Sequence, residues 1–123
     1  MPSGEEEVVI ESKEPAAAPD IRLRARRVGL GLARVGSVAH NGSGDIFCAV
    51  STTNRLPRHI AGRVSIELVG DASLNEIFTA VVDATEESVA NALFVADTVT
   101  GVDGHTAPGL PVDRVLSLIR GNT

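Results

Sequence analysis

The chain has 123 residues, enough for one small domain, and its 43% hydrophobic and 22% charged content argues against wholesale disorder. With 12 Gly, 6 Pro and a single Cys, it fits neither a collagen-like chain nor a disulfide scaffold. A net charge of −5 and 2% aromatic residues argue against a general nucleic-acid binder or a base-stacking surface.

Charge is distributed unevenly along the chain. Five Glu crowd positions 5 to 14, eight Arg against the single acid Asp45 occupy positions 22 to 63, and nine acids follow from position 64. Such blocks suit either basic and acidic partner faces or the solvated sides of different elements. The acidic N-terminus has no apolar stretch of the secretory kind, and no segment reaches the ~20 apolar residues of a membrane helix. A cytoplasmic protein with no membrane or nucleic-acid partner is expected. Lone Cys48, inside the apolar run 46–50, is expected to be a buried small hydrophobe.

Val8-Val9-Ile10 predicts a short strand, stopped by Pro15-Ala-Ala-Ala-Pro19, with Asp20 placed to cap the next element. Residues 20–35 predict a helix despite Gly29 and Gly31, which weaken it. His40-Asn-Gly-Ser-Gly-Asp45 is the densest turn signal in the chain, and it delivers into a strand over Ile46–Val50. Thr52 to Pro57 is turn-like, and Val64–Val69 alternates at period two as a half-buried strand does. The longest regular segment begins after Ser73, with Glu76 in the capping-box position, and runs without Gly or Pro to Gly101. Residues 84–96 are small and apolar nearly all round, so this helix is expected to be largely buried. Gly101 to Pro111 reads as a loop, and Val112–Ile119 as a short last helix. This order of elements implies an α/β layered domain.

Four stretches then carry a resemblance. They are Leu30-Gly-Leu-Ala-Arg-Val-Gly36, His40-Asn-Gly-Ser-Gly-Asp-Ile46, Asn91-Ala-Leu93 and the segment from Gly101 through His105 to Arg114. In that order, over roughly positions 8 to 120, they resemble the C-terminal, β-chain part of the DmpA-type L-aminopeptidase/D-esterases and β-peptidyl aminopeptidases. The resemblance implies part of an α-β-β-α sandwich, shared with ornithine acetyltransferase-like proteins and lacking the α-chain half. On this reading residues 1–20 are an acidic segment with a short strand, and 21–123 are the β-chain part of the aminopeptidase domain.

The resemblance also implies N-terminal-nucleophile chemistry. A serine freed at the start of the β chain attacks the carbonyl of a short peptide, amide or ester, and no cofactor is needed. Ser43 and Asp45 fall on the family's Ser-Gly-acid motif, where they support the nucleophile or the incoming amine, and Asn41 and Gly42 of the same turn are candidate substrate-binding positions. The nucleophile's own place, about three residues before the Val8–Ile10 strand, holds Glu5. Ser3 is nearby but precedes Gly4 and three acids. The expectation is therefore a catalytic-domain fragment, inactive alone. Its partners would be a complementary α chain or intact homologue, further copies of itself, and a small peptide or amide substrate. The alternative is a non-catalytic assembly subunit that keeps the fold without the nucleophile. His40, His59 and His105 lack close metal-ligand spacing, and no metal site is expected.

Overall fold

The computed structural model describes residues 7–121. They divide into two compact units, one up to Glu86 and one from Glu87 onward, with the boundary inside the second long helix.

In the first unit, strand β1 (Glu7–Ser12) leads into helix α1 (Ala18–Arg34), which returns to strand β2 (Ile46–Ser51). The two strands pair in parallel, from Glu7 opposite Ile46 to Ser12 opposite Ser51. Alternation gives the pair two faces. Val8 and Ile10 with Phe47 and Ala49 are half-buried on the face that α1 covers, and Val9, Ile46, Cys48 and Val50 occupy the other face and are exposed. Cys48 thus departs from expectation. The strand is present as expected, but its period-two alternation places Cys48 on the side away from α1.

Helix α1 opens with Pro19 in its first turn and Ala17 as its uncapped N-terminal neighbour, while Asp20 sits inside the first turn and is not the cap. A proline costs nothing there because its missing N–H has no intrahelical partner in any case. The helix ends in a Schellman turn: Ser37 N–H reaches the Leu32 carbonyl at 3.0 Å and Gly36 N–H the Ala33 carbonyl at 3.2 Å. Gly36 takes φ +100°, a conformation an L side chain resists. Val28 and Leu32 are buried on the inner side of α1, each contributing about 1.5–3 kcal/mol of burial.

Helix α2 (Asp71–Val95) buries Val81, Val82 and Thr85. It comes close to α1 at Gly31, where a Cβ would stand 2.5 Å from Thr85 Cβ and 2.7 Å from the Val82 carbonyl oxygen. Arg34 joins the same two helices through Asp83 at 2.5 Å and Glu86 at 3.1 Å. Those two hydrogen bonds raise the guanidinium's already high pKa. Arg27 stacks on the Phe78 ring, 4.2 Å from its centroid.

At the far end of β1, buried Arg24 donates to Ser12 Oγ (2.9 Å) and to the carbonyls of Glu14 and Pro15 (3.2 Å each). Ser51 Oγ also donates to the Glu14 carbonyl, at 2.9 Å. These bonds tie both strand ends to α1, and the buried Arg24 Nε has no partner among the described residues.

Three expectations are corrected. Residues 64–69 form no strand among the described residues, because no strand lies beside them. Instead the Asn54 side chain pairs with Glu67, donating to its carbonyl at 2.9 Å and accepting its N–H at 3.0 Å, as a neighbouring backbone would. Helix α2 begins at Asp71, before Ser73, and stops at Val95, short of Gly101. Residues 84–96 are mostly exposed, Thr85 being the buried one, since apolar character all round sets no burial without something packed against each side.

The second unit holds the end of α2, the hairpin of strands β3 (Val99–Thr100) and β4 (Thr106–Ala107), and helix α3 (Val112–Ile119). The loop expected over 101–111 contains the second of these strands, too short to leave a pattern. Helix α3 has the expected bounds. No helix among the described residues is long and apolar enough to cross a membrane.

Candidate functional site

The segment joining α1 to β2 is shaped at both ends. The Schellman turn releases the chain at Ser37, and Ala39 then adopts φ +47°, a left-handed conformation that costs a non-glycine residue roughly 1–2 kcal/mol. A tight turn comes next, closed by Ser43 N–H donating to the His40 carbonyl at 2.7 Å. From this turn the backbone passes through Asp45 directly into β2.

Within the turn, Ser43 Oγ donates to Asp45 Oδ1 at 2.6 Å, and both residues are half-buried. A hydroxyl bonded to a carboxylate at this length is a charge-assisted pair. Its proton is directed at Asp45, which leaves the Ser43 oxygen's lone pairs able to accept a hydrogen bond. Asp45 keeps a second carboxylate oxygen, and its charge favours any positive group brought near. The pair can therefore orient a hydroxyl or hold an amine.

The sheet decides what stands beside it. Parallel pairing places Glu7 opposite Ile46, the residue after Asp45, so the start of β1 lies beside the start of β2. Position 5, expected to be the nucleophile's place, lies outside the described residues, as does Ser3.

Asn41 and Gly42 form the exposed tip of the turn, and no hydrogen bond of the Asn41 side chain occurs among the described residues. Arg55 and Arg58 are exposed. In the second unit, His105 is exposed and its backbone closes the hairpin, its carbonyl accepting Gly101 N–H at 2.8 Å. Among the described residues no three His, Cys, Asp or Glu side chains cluster as metal ligands would.

A pocket of about 300 Å³ opens beside Asp45, between the Gly29–Ala33 stretch of α1, residues 37–39 and Phe47. Nothing in the sequence pattern announces it. Its one trace there is Gly29, which looks like a helix weakener and in the fold leaves open the space over the Phe47 ring.

Known proteins share much of this sequence and fold. Residues 8–107 match the model of peptidase family S58. The β-peptidyl aminopeptidase BapA of Sphingosinicella microcystinivorans is 38% identical over 114 residues, 92% of this chain and 29% of that protein. Among solved structures, a Pyrococcus horikoshii protein superposes with a TM-score of 0.91 at 34% identity, covering 96% of this chain and 33% of its own. The L-aminopeptidase D-Ala-esterase/amidase of Ochrobactrum anthropi, described as a prototype serine aminopeptidase with a variant Ntn-hydrolase fold, gives 0.87 at 31% identity over 94% of this chain and 33% of that one. The chain spans just under a third of the length of the curated relatives it matches.

Proposed function

Since the chain belongs to peptidase family S58 and shares the α/β fold of its Ntn-hydrolase members, we propose that it is the β-chain part of a serine aminopeptidase. The assembled enzyme removes N-terminal residues from short peptides, amides or esters. The observation that carries this reading is the parallel register, which brings the start of β1 beside a serine–carboxylate pair joined at 2.6 Å.

In the proposed reaction a serine hydroxyl at the head of β1 adds to the substrate carbonyl. The C–O bond forms, the carbonyl π electrons move to oxygen, and the serine's proton passes to its own α-amine or a neighbouring acceptor. Collapse of the tetrahedral species expels the amine or alcohol with that proton, and water then releases the acyl group by the same steps. Ser43 accepts a hydrogen bond from the attacking hydroxyl or the amine, and Asp45 balances the positive charge that forms beside it.

Position 5 of this chain carries Glu, which supplies no such nucleophile. We therefore propose that the chain by itself is inactive and that a complementary α chain or intact homologue is its partner. The exposed sheet face, with Val9 67% and Ile46 62% exposed, supports a partner because parallel strands are ordinarily covered on both sides.

The test uses the Glu5→Ser chain shortened to begin at that serine, so that its α-amine is free, assembled with the α chain of a family member. Amidase activity on amino-acid nitroanilides is expected to appear. In that assembly Ser43→Ala and Asp45→Asn should each lower kcat by ~10²-fold. Unchanged rates in both variants, with the introduced serine essential, would reduce Ser43 and Asp45 to turn residues. Failure of the folded Glu5→Ser assembly to turn over would favour the non-catalytic assembly subunit.

A further inference from the structure

We propose that the groove between helices α1 and α2 binds an alkyl carboxylate, with the acid group at Arg27 and the aliphatic chain lying along the groove toward Arg34. The groove includes neither Ser43 nor Asp45, and the proposal does not rest on the aminopeptidase reading. Three observations support it.

The first is the shape that the residue spacing creates. Arg27, Leu30 and Arg34 stand at i, i+3 and i+7 on α1, a single stripe of that helix, and Phe78 and Val82 stand four apart on α2 with Thr79 beside them. The two helices run in the same direction, with Arg27 over Phe78, Gly31 against Val82 and Thr85, and Arg34 bonded to Asp83 and Glu86. The stripes therefore border a channel of about 430 Å³. Seven residues of helical rise make it about 10 Å long. Leu30, midway along it, is 57% exposed, a large apolar side chain with room for an aliphatic neighbour.

The second is the state of Arg27. Its guanidinium carbon lies 4.2 Å from the Phe78 ring centroid. Stacking on a ring engages the face of a guanidinium and leaves its N–H groups pointing outward in the plane. Among the described residues Nη1 finds the Leu23 carbonyl at 3.4 Å, the long end of the hydrogen-bond range, and the other donors find no acceptor. A carboxylate meeting them gains charge-assisted bonds from a cation whose orientation is already set.

The third is the distribution of charge. At the other end Arg34 is matched by two carboxylates, Asp83 and Glu86, so that end repels an anion. No acid lines the groove at the Arg27 end. The acid group of a ligand is thereby directed to Arg27 and its chain to Leu30. The depression beside Arg22 and Arg26 lacks this arrangement, since both arginines are exposed and no aromatic ring lines it.

The experiment titrates the ¹⁵N-labelled full chain with octanoate. Acetate removes the chain, 1-octanol removes the charge, and octanedioate adds a second charge at the far end. Octanoate is expected to shift the amides of Leu30, Phe78 and Thr79 saturably, and each of the other three to bind about tenfold more weakly or worse. Arg27→Met keeps an unbranched stem over Phe78 without the charge, and Leu30→Glu sets a like charge in the channel. Each should weaken octanoate by about tenfold or more, with thermal melts confirming the fold. Arg26→Met, on the same helix but outside the groove, should leave binding unchanged. Octanol or acetate binding as tightly as octanoate overturns the proposal, as does binding indifferent to Arg27→Met. Binding that falls with Arg26→Met instead moves the anion to the other depression and overturns it too. Should Arg27→Met fail to fold, Leu30→Glu, at an exposed position, decides by the same criterion. Absence of any saturable shift in the folded chain overturns the carboxylate site and leaves the aminopeptidase reading to its own kcat test.

Discussion

Replacing Gly31 by alanine places a methyl carbon 2.5 Å from Thr85 Cβ, 2.7 Å from the Val82 carbonyl oxygen and 2.9 Å from Thr85 Cγ2. All three distances are below any real carbon contact, and two of the obstacles cannot swing aside: a backbone oxygen and a Cβ fixed by its own helix. Thr85 is held further because its hydroxyl donates to the Val81 carbonyl at 2.7 Å. The helices must separate or tilt, and overpacking of this kind costs ~1–3 kcal/mol. Against it stands the gain of ~1 kcal/mol from removing a glycine inside a helix. The repulsive contribution wins because the overlap is with backbone, and the expected net loss is up to ~2 kcal/mol. Gly29→Ala is the internal control. Two residues earlier on the same helix, its methyl meets Phe47 at 3.6 Å, so the propensity gain stands unopposed and the chain should gain ~0.5–1 kcal/mol. Urea titration followed by circular dichroism measures both, with Tm shifts of roughly 4 °C per kcal/mol. Equal stabilisation by the two substitutions would refute the close approach of α1 and α2.

Arg24→Ala should cost about 3 kcal/mol in the same titration, because it removes donors from Ser12 Oγ and from two carbonyls at the end of β1. A loss under about 1 kcal/mol would mean that these groups find water instead. Cys48 is exposed and should react with a thiol reagent in the folded chain within about tenfold of the unfolded rate, then become protected on assembly with an α chain. Reactivity that assembly leaves unchanged would argue against the sheet face as the covered one. Arg34 has a raised pKa from its bonds to Asp83 and Glu86, so its contribution is present below the ordinary arginine value and lost only in strong alkali as pH rises through the folded value. The stability difference between wild type and Arg34→Gln should therefore stay flat between about pH 6 and pH 9 and shrink in high salt, as exposed pairs do.

What is legible in the sequence is local. The strand at Val8–Ile10, the first helix, the strand after Asp45 and helix α3 each carry their own pattern and boundary residues, and each is present. Residues 64–69 carry a pattern too, but alternation describes a segment able to pair, and pairing needs a neighbour. Asn54 supplies a single-residue substitute that no periodicity shows. Burial of Cys48 and of residues 84–96 escapes the sequence for the same reason, since the face a residue presents is local and what covers that face is not. At the candidate site, Ser43 and Asp45 stand out in sequence through a motif that resembles that of the DmpA-type aminopeptidases, and the structure adds the hydrogen bond between them. The glycines do not stand out, because weakening of a helix and permission for close approach look identical in sequence, and packing alone separates Gly31 from Gly29.

The parallel register also constrains the order in which this part of the protein comes together. Every bonded position on β1 meets a partner 39 residues later, so the pair cannot zip from a turn as a hairpin does. Closing so long a loop is entropically costly until α1 has formed and taken up 17 residues of it. The helix is therefore expected to form before the sheet, a sequence that φ-values measured along α1 and β1 would check. Substitutions that strengthen α1 without crowding it, Gly29→Ala first among them, are expected to raise the folding rate more than they lower the unfolding rate. On a ribosome, β1 waits through the synthesis of the whole crossover with its apolar side uncovered, a period when a chaperone or an early-arriving partner chain has most to grip.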